Sequence, residues 1–387
     1  MKSGLVGAFL VCAIGVGASH ATESPGGTRD GRTGLGKGLV INGELTPAVR
    51  NCPYVSVIQT GINWAELEPQ IGKYNWSKMD DHIAECAKYN KQAAFLFVTA
   101  TGKVKTKGTT KSGKSKADRY DEDSEHDNAA TPKWLFDFPE VKRMGGIPSD
   151  KGKLPLYPVF WDAGYQKHLG EFLAAMAKRY DGNPRVEFIR MGGWQVATGE
   201  PSFYGGASEL IAAQLLENGV DIKKHPSNKQ PGDGMYARAV CDLIDLWYQH
   251  FKQTRMAVVV HFPKSEGEKS FEATMVQKLL SMKATIFNTG LNEGDKKKTR
   301  EQYRRYHDES GCKVGWGGIT HLGTKLSESE LKATGRPAIF EAFWQGIGAD
   351  ENPKYRPGSR VSYLVFGDTS LDQSPEALKW AHEHLSQ

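Results

Sequence analysis

Two glutamates stand where a carboxylate needs a reason. Glu341 lies between Phe340 and Phe343 in an apolar run, where burying a charge without using it is costly. Glu200 follows a strand-like segment, in the turn Gly199-Glu200-Pro201. Two carboxylic acids facing one pocket can share a reaction: one passes a proton to a departing group while the other attacks. Taken singly, a glutamate at a strand end is more often an ion-pair partner, and Glu66 and Glu68 fit that reading best, capping a turn or pairing with arginine. Ligand contact by Glu66 is the alternative. Trp64, Trp134, Trp194, Tyr204 and Trp344 fall near expected strand ends, where an aromatic face either stacks on a ligand or packs in the core. His261 there either hydrogen-bonds a ligand or is satisfied by backbone. Other chemistries lack their residues. No Gly-x-Ser-x-Gly elbow, phosphate loop or dinucleotide fingerprint occurs in a convincing context. The first strand candidate, Ile41-Asn42-Gly43-Glu44, holds none of the histidines of a metal-dependent hydrolase barrel. Neither a metal nor another cofactor is expected.

Carboxylates this far apart in the chain meet only if the ends of several elements converge. Short Val-, Ile- and Phe-rich runs alternate with longer amphipathic stretches, the pattern of a parallel α/β sheet. The strand candidates are residues 38–43, 55–62, 93–100, 186–192, 256–262, 284–289, 314–319, 337–343 and 361–366. Helices are expected over 78–89, 164–180, 236–251, 299–309 and 375–385, the last opening on Pro375, which suits a first helical position. Nine strands are one too many for an eight-stranded barrel. The surplus is assigned to 314–319, with its glycines, or to 284–289, which makes 337–343 strand seven and 361–366 strand eight. The long intervals 101–164 and 194–234 follow strands three and four, at the end where a barrel builds its active-site face. The expected fold is α/β, a single (β/α)8 TIM barrel with long loops after strands 3 and 4.

Residues 1–21 read as a signal peptide, with Lys2, an apolar run from Gly4 to Val16, and the small residues of Ser19-His20-Ala21 at the cleavage positions. Residues 22–387 are then one barrel domain, secreted or periplasmic. The apolar run is too short for a bilayer, and no later segment approaches the roughly 20 apolar residues of a membrane helix. Cys12 leaves with the leader. Cys52, Cys86, Cys241 and Cys312 remain, as free buried thiols or as disulfides with Cys52 and Cys86 the first pair to test. The net charge of +5 is partly concentrated in Lys103, Lys105, Lys107, Lys111, Lys114 and Lys116, ahead of an acidic stretch from Asp118 to Asp127, which is the composition of a solvated loop. No motif for reading nucleic acid is recognisable.

Three segments together resemble clan A glycoside hydrolases, most closely the family 42 β-galactosidase-like group. The first is Trp64-Ala65-Glu66-Leu67-Glu68-Pro69 with Gly72, Tyr74, Trp76 and Met79-Asp80. The second is Thr99-Ala100-Thr101, resuming as Ala129-Ala130-Thr131-Pro132-Lys133-Trp134-Leu135 after an insertion, 102–128, that departs from the family. The third runs from Ala177-Lys178-Arg179-Tyr180-Asp181-Gly182-Asn183-Pro184 through Arg190-Met191-Gly192-Gly193-Trp194 to Gly199-Glu200-Pro201. Gly199 stands where the family has an asparagine that contacts the sugar's 2-hydroxyl. The resemblance implies a proton donor, Glu200, after strand four and a nucleophile, Glu341, at the end of strand seven. It further implies that Trp64, Glu66, Trp134, Trp194, Tyr204, His261 and Trp344 line a sugar site. The implied activity is retaining hydrolysis of a β-glycosidic bond in an oligo- or polysaccharide, by double displacement. The lysine-rich insertion leaves room for an anionic glycan. A non-catalytic glycan-binding barrel is the alternative, favoured by the missing asparagine, and a polysaccharide lyase is a more distant one.

Overall fold

A computed structural model describes residues 34–100, 130–145, 148–149, 152–153, 156–194, 212–221, 233–260, 269–289, 297–319, 338–348, 358, 360–366 and 375–385. The expected leader and the insertion 102–128 lie outside the described residues.

Eight parallel strands close into a barrel: β1 (Gly38–Asn42), β2 (Val55–Asn63), β3 (Gln92–Val98), β4 (Val186–Arg190), β5 (Arg255–Val259), β6 (Thr285–Thr289), β7 (Val314–Ile319) and β8 (Tyr363–Phe366). β1 pairs with both β2 and β8, which closes the sheet. Each strand is buried on both faces, which is why the runs are apolar throughout instead of alternating with polar residues. One face fills the barrel with Val40, Val57, Ala94, Phe188, Phe287 and Tyr363 among others. The opposite face, including Leu39, Ile58, Phe95, Ile189 and Val258, packs against the helices.

The helical layer is α1 (Pro47–Asn51), α2 (Trp64–Leu67), α3 (Ser77–Lys88), α4 (Ala163–Tyr180), α5 (Ala212–Glu217), α6 (Met235–His250), α7 (Phe271–Ser281), α8 (Lys297–Ser310), α9 (Ala338–Ile347) and α10 (Pro375–His384). Capping residues mark several starts: the side chain of Thr46 accepts from Val49 N, Asp162 from Gly164 N and Tyr165 N, and Ser270 from Ala273 N. In α4, Leu169, Phe172, Leu173, Met176 and Tyr180 recur at helical spacing and are buried. Two short antiparallel pairs, Arg143–Gly145 with Leu156–Pro158 and Pro148–Ser149 with Gly152–Lys153, elaborate the connection after β3.

Two strand expectations are corrected. Both 284–289 and 314–319 are barrel strands, and β7 is the one with glycines. A Cβ at Gly315 would run into the Phe287 ring, and one at Gly317 would lie 2.8 Å from Val365 Cβ. Those glycines face the barrel interior, where neighbouring side chains already fill the space. Residues 338–347 are helical, so 337–343 is not strand seven. None of Cys52, Cys86, Cys241 and Cys312 is in a disulfide, and burial lifts the Cys86 thiol to about 12. Among the described residues no helix is long and apolar enough to cross a membrane.

Candidate active site

At the C-terminal ends of the strands the interior turns polar. Asn42 ends β1 on the same face as Val40, and Gln59 shares the face of Val57 on β2; Gln59 Nε2 donates to Asn42 Oδ1 at 2.9 Å. Gln59 is fully buried and its Oε1 has no partner among the described residues. Arg190 ends β4 on the face of Phe188, lying in register between Leu96 and Ala257, and is 9% exposed. Two amides and a guanidinium therefore form the floor of the barrel mouth. Sequence reasoning missed all three. The available signal was a polar side chain inside an apolar strand, since such a group inside a barrel is expensive unless it meets a partner or a ligand.

Directly after β4 the chain is held from three sides. Met191 N donates to Ala257 O at 2.7 Å, Trp247 Nε1 of α6 to Gly192 O at 2.7 Å, and Tyr165 OH of α4 to Gly193 O at 2.7 Å. Thr99 Oγ1, just past β3, donates to Trp194 O at 3.3 Å, and Thr131 Oγ1 donates to Thr99 O. A Cβ at Gly192 would collide with the Phe97 carbonyl, and Gly193 has φ +116° with Leu169 close by. The Gly192-Gly193 pair is thus required by close approach and by backbone geometry. Met191–Trp194 is thereby fastened at the end of the barrel, and Glu200 follows Trp194 by six residues in the sequence.

The first resemblance motif forms a wall beside this mouth, and its residues explain one another. Glu68 is 4% exposed and accepts from Trp64 Nε1 at 2.8 Å and from Gly72 N at 2.8 Å. Burial raises its pKa, against the lowering effect of those two hydrogen bonds. Trp134 Nε1 donates to Glu68 O at 2.9 Å and its ring meets Trp64 edge-on at 5.9 Å. Tyr74 stacks on Trp76, which packs on Tyr180. The Asp80 carboxylate accepts from Tyr180 OH at 2.8 Å and from Arg179 Nη2 at 2.6 Å. Asp181 accepts from the amides of Lys252, Gln253 and Thr254 at 2.8–2.9 Å, joining the turn before β4 to the turn before β5.

This arrangement sorts the residues expected to line the site. Trp64, Trp194 and Trp344 are 0%, 1% and 3% exposed, so of the two readings of these rings the described residues show packing. Trp344 meets Trp380 of α10 edge-on at 5.7 Å, in the helical layer. Trp134 is half-buried against Trp64, Phe138 and His168. Glu66 is exposed and pairs with Lys78 at 2.6 Å, the ion-pair reading with lysine in place of arginine. Glu200, Tyr204 and His261 lie outside the described residues. Glu341 falls in the first turn of α9 instead of at a strand end. Since α9 follows β7 and Phe343 packs on Phe366 at the end of β8, this turn lies at the same end of the barrel as Asn42 and Arg190. Among the described residues no cluster of His, Cys, Asp or Glu could hold a metal ion.

Residues 50–197 match the glycoside hydrolase family 42 profile, described as beta-galactosidase. The chain is similar in structure to the catalytic domain of a beta-amylase from Paenibacillus polymyxa, with a TM-score of 0.52 at 11% identity over 90% of this chain and 97% of that one. A beta-galactosidase from the Antarctic haloarchaeon Halorubrum lacusprofundi aligns with a TM-score of 0.47 at 11% identity, covering 89% of this chain and 57% of that one. No curated protein sequence matches the chain. The beta-amylase likeness identifies the fold as a TIM barrel, and the matched segment spans the wall and the fastened β4 end just described.

Proposed function

We propose that this chain, a clan A glycoside hydrolase matching family 42 over residues 50–197, is a secreted retaining enzyme that cleaves β-glycosidic bonds in an oligo- or polysaccharide. The observation that carries the reading is the family match over residues 50–197, which runs through the fastened segment Met191–Trp194 and ends three residues before Glu200. In this reading the Glu200 carboxyl gives its proton to the glycosidic oxygen as the bond to the anomeric carbon breaks. The Glu341 carboxylate attacks that carbon from the opposite face and forms a glycosyl ester. Glu200, now a carboxylate, takes a proton from water; the water attacks the ester-linked carbon, the sugar leaves with its configuration retained, and both glutamates are restored. Asn42, Gln59 and Arg190 supply the polar floor for sugar hydroxyls, and Gly199 leaves the 2-hydroxyl contact to another group. The position of Glu341 on α9 requires the nucleophile to come from a helix turn, a departure from the strand-end arrangement that the resemblance implies.

Aryl glycosides test this directly. Glu200→Gln should lose about 10²- to 10⁴-fold in kcat/KM on poor leaving groups while largely keeping activity on dinitrophenyl glycosides, which depart without a proton. Glu341→Gln should be inactive on both, and azide with Glu341→Gly should yield a glycosyl azide of inverted configuration. A fully active Glu341→Gln would move the nucleophile elsewhere. Binding without turnover by the unaltered chain, across a broad glycan panel, would instead favour a glycan-binding barrel.

A further inference from the structure

On the inner face of β2, two residues above Gln59, stands a glycine that the fold does not require. Gly61 lies in register with Leu96 of β3 and continues the face of Val57 and Gln59 toward the mouth. A glycine inside a strand weakens it, so its presence there needs a reason. Gly38, Gly315 and Gly317 in the other strands have theirs, since an added Cβ would meet Ser56, the Phe287 ring or Val365. Gly61 has no such neighbour. Its φ is outside the left-handed region, a Cβ there would meet nothing within 4 Å among the described residues, and the residue is exposed. The end of β1 beside it carries Asn42, which is exposed as well. Gln59 Nε2 donates to Asn42 Oδ1 at 2.9 Å, which engages the oxygen and leaves Nδ2 as the free end of that amide. An open strand glycine next to an oriented donor is the arrangement that lets a ligand come close to the backbone.

We propose that Gly61 sets the size of a sugar subsite on the β1–β2 side of the mouth, where the edge of a pyranose ring packs on the β2 backbone and one of its hydroxyls accepts from Asn42 Nδ2. Gln59 is a positioning residue: buried beneath the subsite, it acts through Asn42 by holding that amide with its donor free. The sugar nature of the ligand rests on the glycosidase reading, whereas the open place beside Gly61 does not.

The test uses the full chain with p-nitrophenyl β-D-galactoside, β-D-glucoside and β-D-xyloside and reads kcat, KM and the thermal midpoint. Gly61→Val should leave the midpoint unchanged or raise it, since a β-branched residue suits the strand, while KM on the best of the three rises at least about 10-fold. Gly61→Ala should raise KM less. Asn42→Ala should raise KM about 3- to 10-fold with a smaller change in kcat. Gln59→Met should do the same alone and add nothing in the Asn42→Ala background; a Gln59 that only supports the fold would lower the midpoint and act equally in both backgrounds. An unchanged KM in Gly61→Val overturns the subsite. Should the unaltered chain turn over none of the three, the glycosidase reading fails, and calorimetric titration with the same glycosides decides the subsite by itself. Binding that is lost in Gly61→Val then supports it, and equal binding or none overturns it.

Discussion

Glu68 shows how a residue within the segment that matches the family 42 model can serve the scaffold. Its carboxylate is enclosed by Trp64 and the Gly72 amide, and burial raises its pKa from an ordinary value of 4.5. A carboxyl whose native pKa lies above its unfolded one binds its proton more tightly when folded. Its stabilising contribution is complete below about pH 4.5 and is lost as pH rises through the native value. Glu68→Gln removes that titration while keeping one acceptor oxygen for the indole. At low pH the variant should be less stable by about 1 kcal/mol, since the amide no longer satisfies both donors. The gap should narrow as pH rises from below 4.5 through the native value of Glu68. Urea denaturation at a series of pH values measures it, and parallel stability curves would show that Glu68 does not titrate in this range. Trp64 and Trp134 both bond to Glu68, so this part of the motif spends its indole N–H groups inside the wall that it builds.

At the scale of elements, the stretch from Met191 to Trp194 is the link between the barrel and Glu200. Tyr165→Phe deletes only the hydroxyl that donates to Gly193 O and leaves a buried carbonyl unpaired, which should cost about 1–3 kcal/mol of stability. If this anchor also positions Glu200, the proposed proton donor, kcat should fall by roughly 10-fold at temperatures where the variant is fully folded, since small displacements of reacting groups are expensive. An unchanged kcat would make the anchor purely structural. All eight barrel strands stand among the nine candidates read from apolar runs between amphipathic stretches, because strands buried on both faces leave that signature; the error lay in treating 284–289 or 314–319 as the surplus one. The exchange of β7 for α9 has a local cause. A window closed at Phe343 contains a continuous apolar run, whereas extension to Ile347 brings out Ile339, Phe340, Phe343, Trp344 and Ile347 at helical spacing. In β7 the glycines that suggested a loop are dictated by Phe287 and Val365, contacts between strands distant enough in sequence that no local pattern reports them. The polar floor of Asn42, Gln59 and Arg190 was hidden for the same reason, since each is a lone polar residue until the closed sheet brings the three to one end.

For the whole molecule, the two ends of the barrel divide their tasks. The C-terminal end carries the polar floor and the segment leading to Glu200, while the other end is closed by Glu187, which ties β4 to β8 through Tyr363, faces Arg255 of β5, and receives the amides of Leu35 and Gly36. That single carboxylate joins the chain just ahead of β1 to β4, β5 and β8. Gly34 and Gly36, at φ +94° and +73°, permit the approach, because a Cβ on either would press on Glu187 or on the Arg255 guanidinium. Glu187→Ala strands a buried guanidinium without this countercharge and removes the acceptor of two amides. The expected loss is about 3–5 kcal/mol, measured by urea denaturation. Pairing it with Arg255→Met should recover part of that loss, because the remaining hydrophobic side chain no longer asks for a charge. Both variants should retain kcat on aryl glycosides below their unfolding transitions, since the closure lies a barrel length away from the mouth. A large kcat loss in the folded Glu187→Ala variant would mean that the closure also holds the strands in the register on which the catalytic end depends.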